Sequence, residues 1–316
     1  MDRRIKIALF LTAGLAVSLF LGLTLGSERL SFFDLSDAQR SILFDIRVPR
    51  VLLAACVGAS LAAAGAGLQS LLRNPLAEPY LLGVSNGAAL GTMLAFVFFE
   101  QFEWSRPVMA FAGAGAATFA VYQMARSRAG MNVERLVLSG VIVTTFLSSI
   151  IVLLTSLVDA AKLRSFTFWL LGDLSQSTQN GVYLAFVIAI IGTVVLASQA
   201  RALNLMMIGE RDAFDLGVEV RRVRMIVFIA VSALVGSTVA ASGSVGYVGL
   251  IVPHLVRLST GSDNRLVVPF SALAGAIFVV MADLVARTAI APRELPVGAI
   301  TALIGAPLFI YLLRKS

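Results

Sequence analysis

Residues 203–224 read LNLMMIGERDAFDLGVEVRRVR. Four acids (Glu210, Asp212, Asp215, Glu219) and four arginines (Arg211, Arg221, Arg222, Arg224) crowd this stretch, while nearly everything on either side is apolar. So dense a run of charge belongs in water, and its Leu, Met, Glu, Arg and Ala content favours short helices there. The apolar segments that flank it in two sets are long enough to cross a bilayer. Met206, Met207, Ile208, Phe214 and Leu216 are interspersed among the charges. The expectation is an apolar contact face with a polar rim, offered to a soluble partner by a chain that otherwise lives in lipid.

Composition agrees. Only 14% of the 316 residues are charged, 58% are hydrophobic and the mean hydropathy is +0.90, whereas soluble domains carry about 25% charge. The fold class is therefore all-α: a polytopic membrane protein whose helices satisfy their own backbone bonds. The net charge of +7 does not indicate nucleic acid, because the three lysines (Lys6, Lys162, Lys315) and scattered arginines form no stripe. Cys56 is the sole cysteine, which excludes an internal disulfide and a cysteine-based metal site. The N-terminus, MDRRIKIALFLTAGLAVSLFLGLTLG, has the basic start of a signal peptide. Its apolar run of about 20 residues is too long for one and reads as an uncleaved first helix.

Ten spans follow, at 5–26, 48–72, 80–99, 107–125, 133–158, 180–200, 223–242, 246–260, 265–286 and 295–313, the eighth being short and broken by Gly246, Gly249 and Pro253. With the N-terminus inside, sixteen of the 25 basic residues fall on the cytoplasmic side. That bias puts both termini and residues 203–224 in the cytoplasm. Residues 27–46 look amphipathic and are expected along the outer surface; residues 161–179 are expected to hold a short re-entrant or surface helix. Gly65, Pro75 and Gly83 share their spacing with Gly243, Pro253 and Gly261 at an offset of 178, and Asn86 matches Asn264. With opposite orientations by span count, this reads as an inverted repeat, about 47–158 and 225–313, within a single transmembrane domain, 1–316.

Chemistry is sparse. No lysine follows a glycine, so the Gly-Lys-Ser/Thr phosphate loop is missing. His254 is the single histidine and has no visible partner set, which favours a structural role. No catalytic residue and no metal site is assigned. Asp283 is the clearest ionisable group inside a span, and an i,i+4 pair with Arg287 accounts for both. Arg47 and Arg50 at the outer mouth of the second span, and Arg287 at the outer end of the ninth, serve either as headgroup anchors or as a docking patch for an acidic partner. Gln69, Asn74, Asn86 and Tyr247 fall near the broken segments and face either the transport path or a helix interface. Two rivals to a partner-driven permease are an ion-coupled secondary transporter and an intramembrane enzyme; the second lacks a catalytic constellation.

Three stretches carry a resemblance. RVPRVLLAACVGASLAAAGAGLQSLLRNPLAEPYLLGVSNGAALG, GSVGYVGLIVPHLVRLSTGSDNRLVVP and ADLVAR…ELPVGAITALIGAPLFIYLL resemble FecCD-type permeases, the membrane subunits of ABC importers for iron–siderophore complexes, haem and cobalamin. The resemblance spans Arg47 to Leu313. It implies the type II ABC importer permease fold and a multi-pass protein of the cell inner membrane. It also implies a second permease subunit, in a homodimer, two separate ATPase subunits that bind ATP and Mg, and a periplasmic or lipid-anchored binding protein. This chain would hold no cofactor and perform no catalysis itself. The cargo implied is an iron chelate, siderophore or haem, with cobalamin as the alternative. By the same resemblance Gly209, Glu210, Ala213, Leu216 and Gly217 fall in the coupling segment, with Ala213 and Gly217 keeping the Ala-x3-Gly spacing of EAA-type loops and Glu210 displaced by one. Arg47, Arg50 and Arg287 match positions that pair with binding-protein carboxylates. Val133 and Glu134 lie where the family closes its inner gate.

Overall fold

The structure, a computed structural model, describes residues 3–26, 36–99, 101–102, 104–127, 130–131, 133–175 and 178–315. Its helices are α1 (Arg3–Thr24), α2 (Asp37–Ser41), α3 (Val48–Leu72), α4 (Val84–Phe98), α5 (Ser105–Ala125), α6 (Val133–Thr155), α7 (Ala160–Leu170), α8 (Gln179–Ser198), α9 (Ala200–Ile208), α10 (Glu210–Asp215), α11 (Val220–Ser242), α12 (Val248–Thr260), α13 (Asn264–Thr288) and α14 (Val297–Lys315). A two-residue antiparallel bridge, Arg126–Ser127 with Gly130–Met131, joins α5 to α6. Among the described residues, seven helical spans are long and apolar enough to cross a membrane, and three shorter apolar helices, α4, α12 and α14, complete the ten spans expected. The chain is an integral membrane protein.

The fold is wound around α3. Its sequence, AACVGASLAAAGAG over 54–67, is small on every face, so it has no lipid-facing side to prefer and neighbours approach from all round. Of the seven long spans α3 is the most buried. Gly58 meets Gly275 of α13, Gly65 meets Gly249 of α12, and Gly67 meets Leu196 of α8. In lipid such close approach gains dispersion contacts where no hydrophobic drive exists between helices.

Two helical breaks face each other. After α3 the chain turns through Asn74-Pro75, makes a single 3₁₀ turn at Pro79–Leu82, and starts α4 at Gly83, whose φ of +73° suits glycine. After α11 it turns at Gly243 (φ +68°) and starts α12 behind Tyr247, also at φ +68°. The residues matched at an offset of 178 share local structure in part. Gly65 lies inside α3 and Gly243 after the end of α11, whereas Gly83 and Gly261 each close a helical segment at positive φ, +73° and +82°, ahead of the next helix.

Two surface expectations also change. Residues 27–35 lie outside the described ones, but residues 37–47 run without interruption into α3 as a helical turn and a π-helical turn, rather than lying separately on the surface. Ser36 starts this extension with a capping box to Gln39. The 161–179 stretch does contain a helix, α7, capped by Asp159. Its Phe166 is buried against Phe96 and Trp169, so one face of this helix packs inward.

Candidate functional site

Three regions carry the polar chemistry. The first is residues 200–224, where α9 and α10 form as the composition dictates. Ala200, Leu203 and Met206 recur every three residues on α9 and are buried, so that face packs onto the spans. Met206 is therefore withdrawn from the contact face expected of it. Ala213 is likewise fully buried. The spacing of Ala213 and Gly217 has a local cause: Val218 N–H donates to the Ala213 carbonyl and Gly217 N–H to that of Phe214, a Schellman cap with Gly217 at φ +84°. Of the segment's large apolar residues, Ile208, Phe214 and Leu216 remain exposed. Beside them Glu210, Arg211, Asp215, Glu219, Arg221 and Arg222 help to line an open groove of about 840 Å³. Glu210 bridges Arg73, the left-handed cap of α3, at 3.2 Å and Arg224 of α11, so α10 is pinned to two spans. Gly209, extended at the start of α10, lets the Asp212 carboxylate lie across it.

The second region is the arginine cluster. Arg50 and Arg73 are separated by about 35 Å of α3 at 1.5 Å per residue, so the cluster lies at the opposite end of the molecule. Asp283 of α13 is fully buried and accepts from Arg50 Nε at 2.9 Å, with Arg287 Nε at 3.0 Å. Arg50 Nη1 also holds both oxygens of half-exposed Glu294, at 2.8 and 3.0 Å. Arg287 Nη2 donates to the Gly22 carbonyl, and Arg47 Nη1 to those of Leu23 and Thr24. These are the last carbonyls of α1, which lack helical donors of their own. The i,i+4 pair read from sequence is present. The outward patch is not: all three guanidiniums are buried, because folding gives each an acceptor within the chain. Beside Glu294 and Arg50 a pocket of about 340 Å³ opens, also lined by Arg164, Phe168 and Asp173.

The third region is the meeting of the two breaks. Glu78 accepts from the Tyr247 backbone N–H at 3.1 Å, which places a carboxylate at the N-terminus of α12. Tyr80 Oη donates to the Val245 carbonyl and accepts from its N–H. Gln69 Nε2 donates to the carbonyls of Gly249 and Leu250. The first break thus satisfies backbone groups that the second leaves open, as the interior of a membrane demands.

The residues expected along a path are not brought together. Gln69 is buried and braces α3 on α12; Asn86 binds the Thr144 carbonyl and Ser148 and braces α4 on α6. Asn74 is exposed and its side chain accepts from Leu76 N–H in the turn after α3. Val133 and Glu134 open α6, with Glu134 exposed. Tyr247 alone stands at the interlocked breaks. Sequence reasoning missed Glu78, an acid within the otherwise apolar NPLAEPYLLG, as well as Glu294 and the Asn204–Asn264 contact. A lone acid between two prolines was the available signal for Glu78.

Comparison with known proteins places these features in a family. The FecCD transport family model matches residues 14–315. A cobalamin import system permease, BtuC of Halobacterium salinarum, is 43% identical over 89% of this chain and 76% of its own length. The hemin transport system permease HmuU of Yersinia pestis is 37% identical, with 100% of this chain and 98% of that one covered. A metal-chelate type ABC transporter solved in an inward-facing conformation superposes with a TM-score of 0.90 at 35% identity, covering 98% of this chain and 99% of the other. The chain belongs to the FecCD transport family, as an ABC importer permease with the type II fold.

Proposed function

We propose that the chain is the membrane subunit of an importer that carries an iron chelate, siderophore or haem, and that separate ATPase subunits drive it by gripping residues 203–224. The observation that carries this reading is the exposed Ile208, Phe214 and Leu216 beside a charged groove, on short helices pinned to α3 and α11 through Glu210. An apolar centre with a charged rim suits a protein partner, and pinned helices pass on its motion. Family membership leaves an ion-coupled secondary transporter without support. Two ATPase subunits, holding ATP and Mg, would act on two copies of this chain in the inner membrane, with both termini and residues 203–224 in the cytoplasm. The halves on either side of that segment would form the inverted repeat. A binding protein would deliver cargo at the arginine end, reaching Arg50 through the pocket beside Glu294. Cobalamin is the second reading, favoured by the similarity to BtuC.

The test is reconstitution with the cognate ATPase and binding protein. The ligand that co-purifies with the binding protein should be an iron chelate and should enter vesicles only with ATP. A corrinoid in its place establishes the second reading. Uptake and ATPase stimulation that survive replacement of Gly217 by tryptophan would remove the coupling role.

A further inference from the structure

A buried polar network joins the 200–224 segment to three spanning helices through one side chain. Asn204 of α9 donates through Nδ2 to Asp263 at 2.7 Å, and its Oδ1 accepts from both the backbone N–H and Nδ2 of Asn264 at 2.9 Å. Asn264, the first residue of α13, is fully buried. Its Oδ1 accepts from Ser70 Oγ of α3 at 2.7 Å and lies 3.4 Å from Arg257 Nη2 of α12. Arg257 Nη2 also donates to Ser70 Oγ at 2.8 Å and to the Ala66 carbonyl at 3.2 Å. One residue before Ser70, Gln69 holds the first turn of α12. In a low-dielectric interior each of these bonds is costly to leave unmade. Helices α3, α12 and α13 are thereby bound to α9 as one body at the polar end.

We infer that Asn204 and Asn264 are positioning residues for transport: displacement of α9 by a partner is passed through the Asn204–Asn264 bonds to α3 and α12, and so to the interlocked breaks. This rests on the reading that ATPase subunits act on residues 203–224. The Glu210 bridges to Arg73 and Arg224 tie α10 to the ends of α3 and α11, but Glu210 itself is 43% exposed, so water reaches their acceptor. The asparagine pair is the buried link and the one that reaches α12 and α13.

The experiment exchanges the amide and the carboxylate between positions 204 and 263. Asn204→Asp sets two carboxylates against each other, whereas Asn204→Asp with Asp263→Asn restores their bond with donor and acceptor reversed. Asp263 Oδ1 also accepts from the Arg265 N–H at 3.0 Å, so Asp263→Asn alone is measured as the control for the cap of α13. The readout is cargo carried per ATP hydrolysed by the reconstituted transporter, with ATPase-subunit affinity measured separately. Asn204→Asp should lower the ratio about tenfold, the factor that loss of one charge-assisted hydrogen bond sets. The exchange should return it to within about twofold. An unchanged ratio in Asn204→Asp overturns the inference, and so does a defect that the exchange fails to repair while Asp263→Asn alone couples normally. If Asn204→Asp does not accumulate in the membrane, Asn204→Ser removes both arms of the amide without adding charge and carries the same expectation; an unchanged ratio there overturns it equally. Phe214→Ser separates the two levels. If that variant leaves ATPase affinity intact, the partner reading itself fails. If it weakens affinity while the Asn204 variants couple normally, only the role of the asparagine pair fails.

Discussion

Gly58 of α3 and Gly275 of α13 face each other with no room for a methyl group on either. A Cβ on Gly58 would lie 2.0 Å from the Gly275 carbonyl oxygen, and one on Gly275 would lie 2.2 Å from that of Gly58. Backbone stands in the way, so the helices themselves must part. Gly58→Ala should therefore destabilise the protein by roughly 1–3 kcal/mol, the range of overpacking. Gly115→Ala is the control, because nothing lies within 4 Å of the added carbon, and alanine favours helix over glycine by about 1 kcal/mol. Thermal unfolding in detergent should show a lower midpoint for the first and an unchanged or higher one for the second.

Asp283 holds two arginines with no water to replace it. Asp283→Ala leaves Arg50 and Arg287 without their shared partner, and breaking a buried pair costs about 3–5 kcal/mol. Glu294 is half exposed, so Glu294→Gln should cost about 0–1 kcal/mol. Comparison of the two midpoints, together with the amount of each variant that folds into membranes, checks the ranking.

Ile208, Phe214 and Leu216 make almost no use of their apolar surface within the chain. Serine at each should leave the unfolding midpoint within about 0.5 kcal/mol of the parent, as surface changes do. ATPase-subunit binding should weaken about tenfold or more for the best-buried anchor at the interface. Binding isotherms of the three variants measure both the size and the order.

The Asp263 carboxyl is pushed up by burial, but the Arg265 backbone N–H, the Asn204 amide and the Arg265 charge outweigh that and hold it below the usual range. A lowered folded-state value means that the acid favours folding at neutral pH. The contribution is complete above the unfolded value of about 3.9 and is lost as pH falls through the folded one. Asp263→Asn should accordingly be less stable than the parent at pH ~7 and converge on it as the solution approaches pH ~3. Midpoints taken across that interval test the sign.

Local chemistry was legible in the sequence and remote pairing was not. The ten spans, the short helices at 200–215 and the Asp283–Arg287 pair depend on hydropathy, composition and i,i+4 spacing. Arg50 was read as an outward cation because its partner Asp283 lies 233 positions away. Path and helix interface both stayed open for Gln69 and Asn86, because a polar group in an apolar run does not reveal which neighbour it binds. Ala213 looked like a contact residue, although its spacing from Gly217 follows from the geometry of a helix cap. The repeat was aligned on Gly and Pro, which punctuate helices wherever they end; equal spacing brought equal local structure at Gly83 and Gly261 but not at Gly65 and Gly243.

The central place of α3 bears on how the chain is made. Arg50, Ser60, Gln69 and Ser70 are buried on that helix. The partners of Arg50, Gln69 and Ser70 include Asp283, Glu294, Gly249, Leu250 and Asn264, all downstream of residue 224. On the ribosome α3 is complete long before any of those residues is translated. The helix is apolar and long enough to enter the membrane alone, but until the second half arrives lipid offers its guanidinium, amide and hydroxyl groups no partners. Packing around α3 is therefore a late, collective event, and a chain cut within residues 203–224 should assemble only when both fragments are synthesised together.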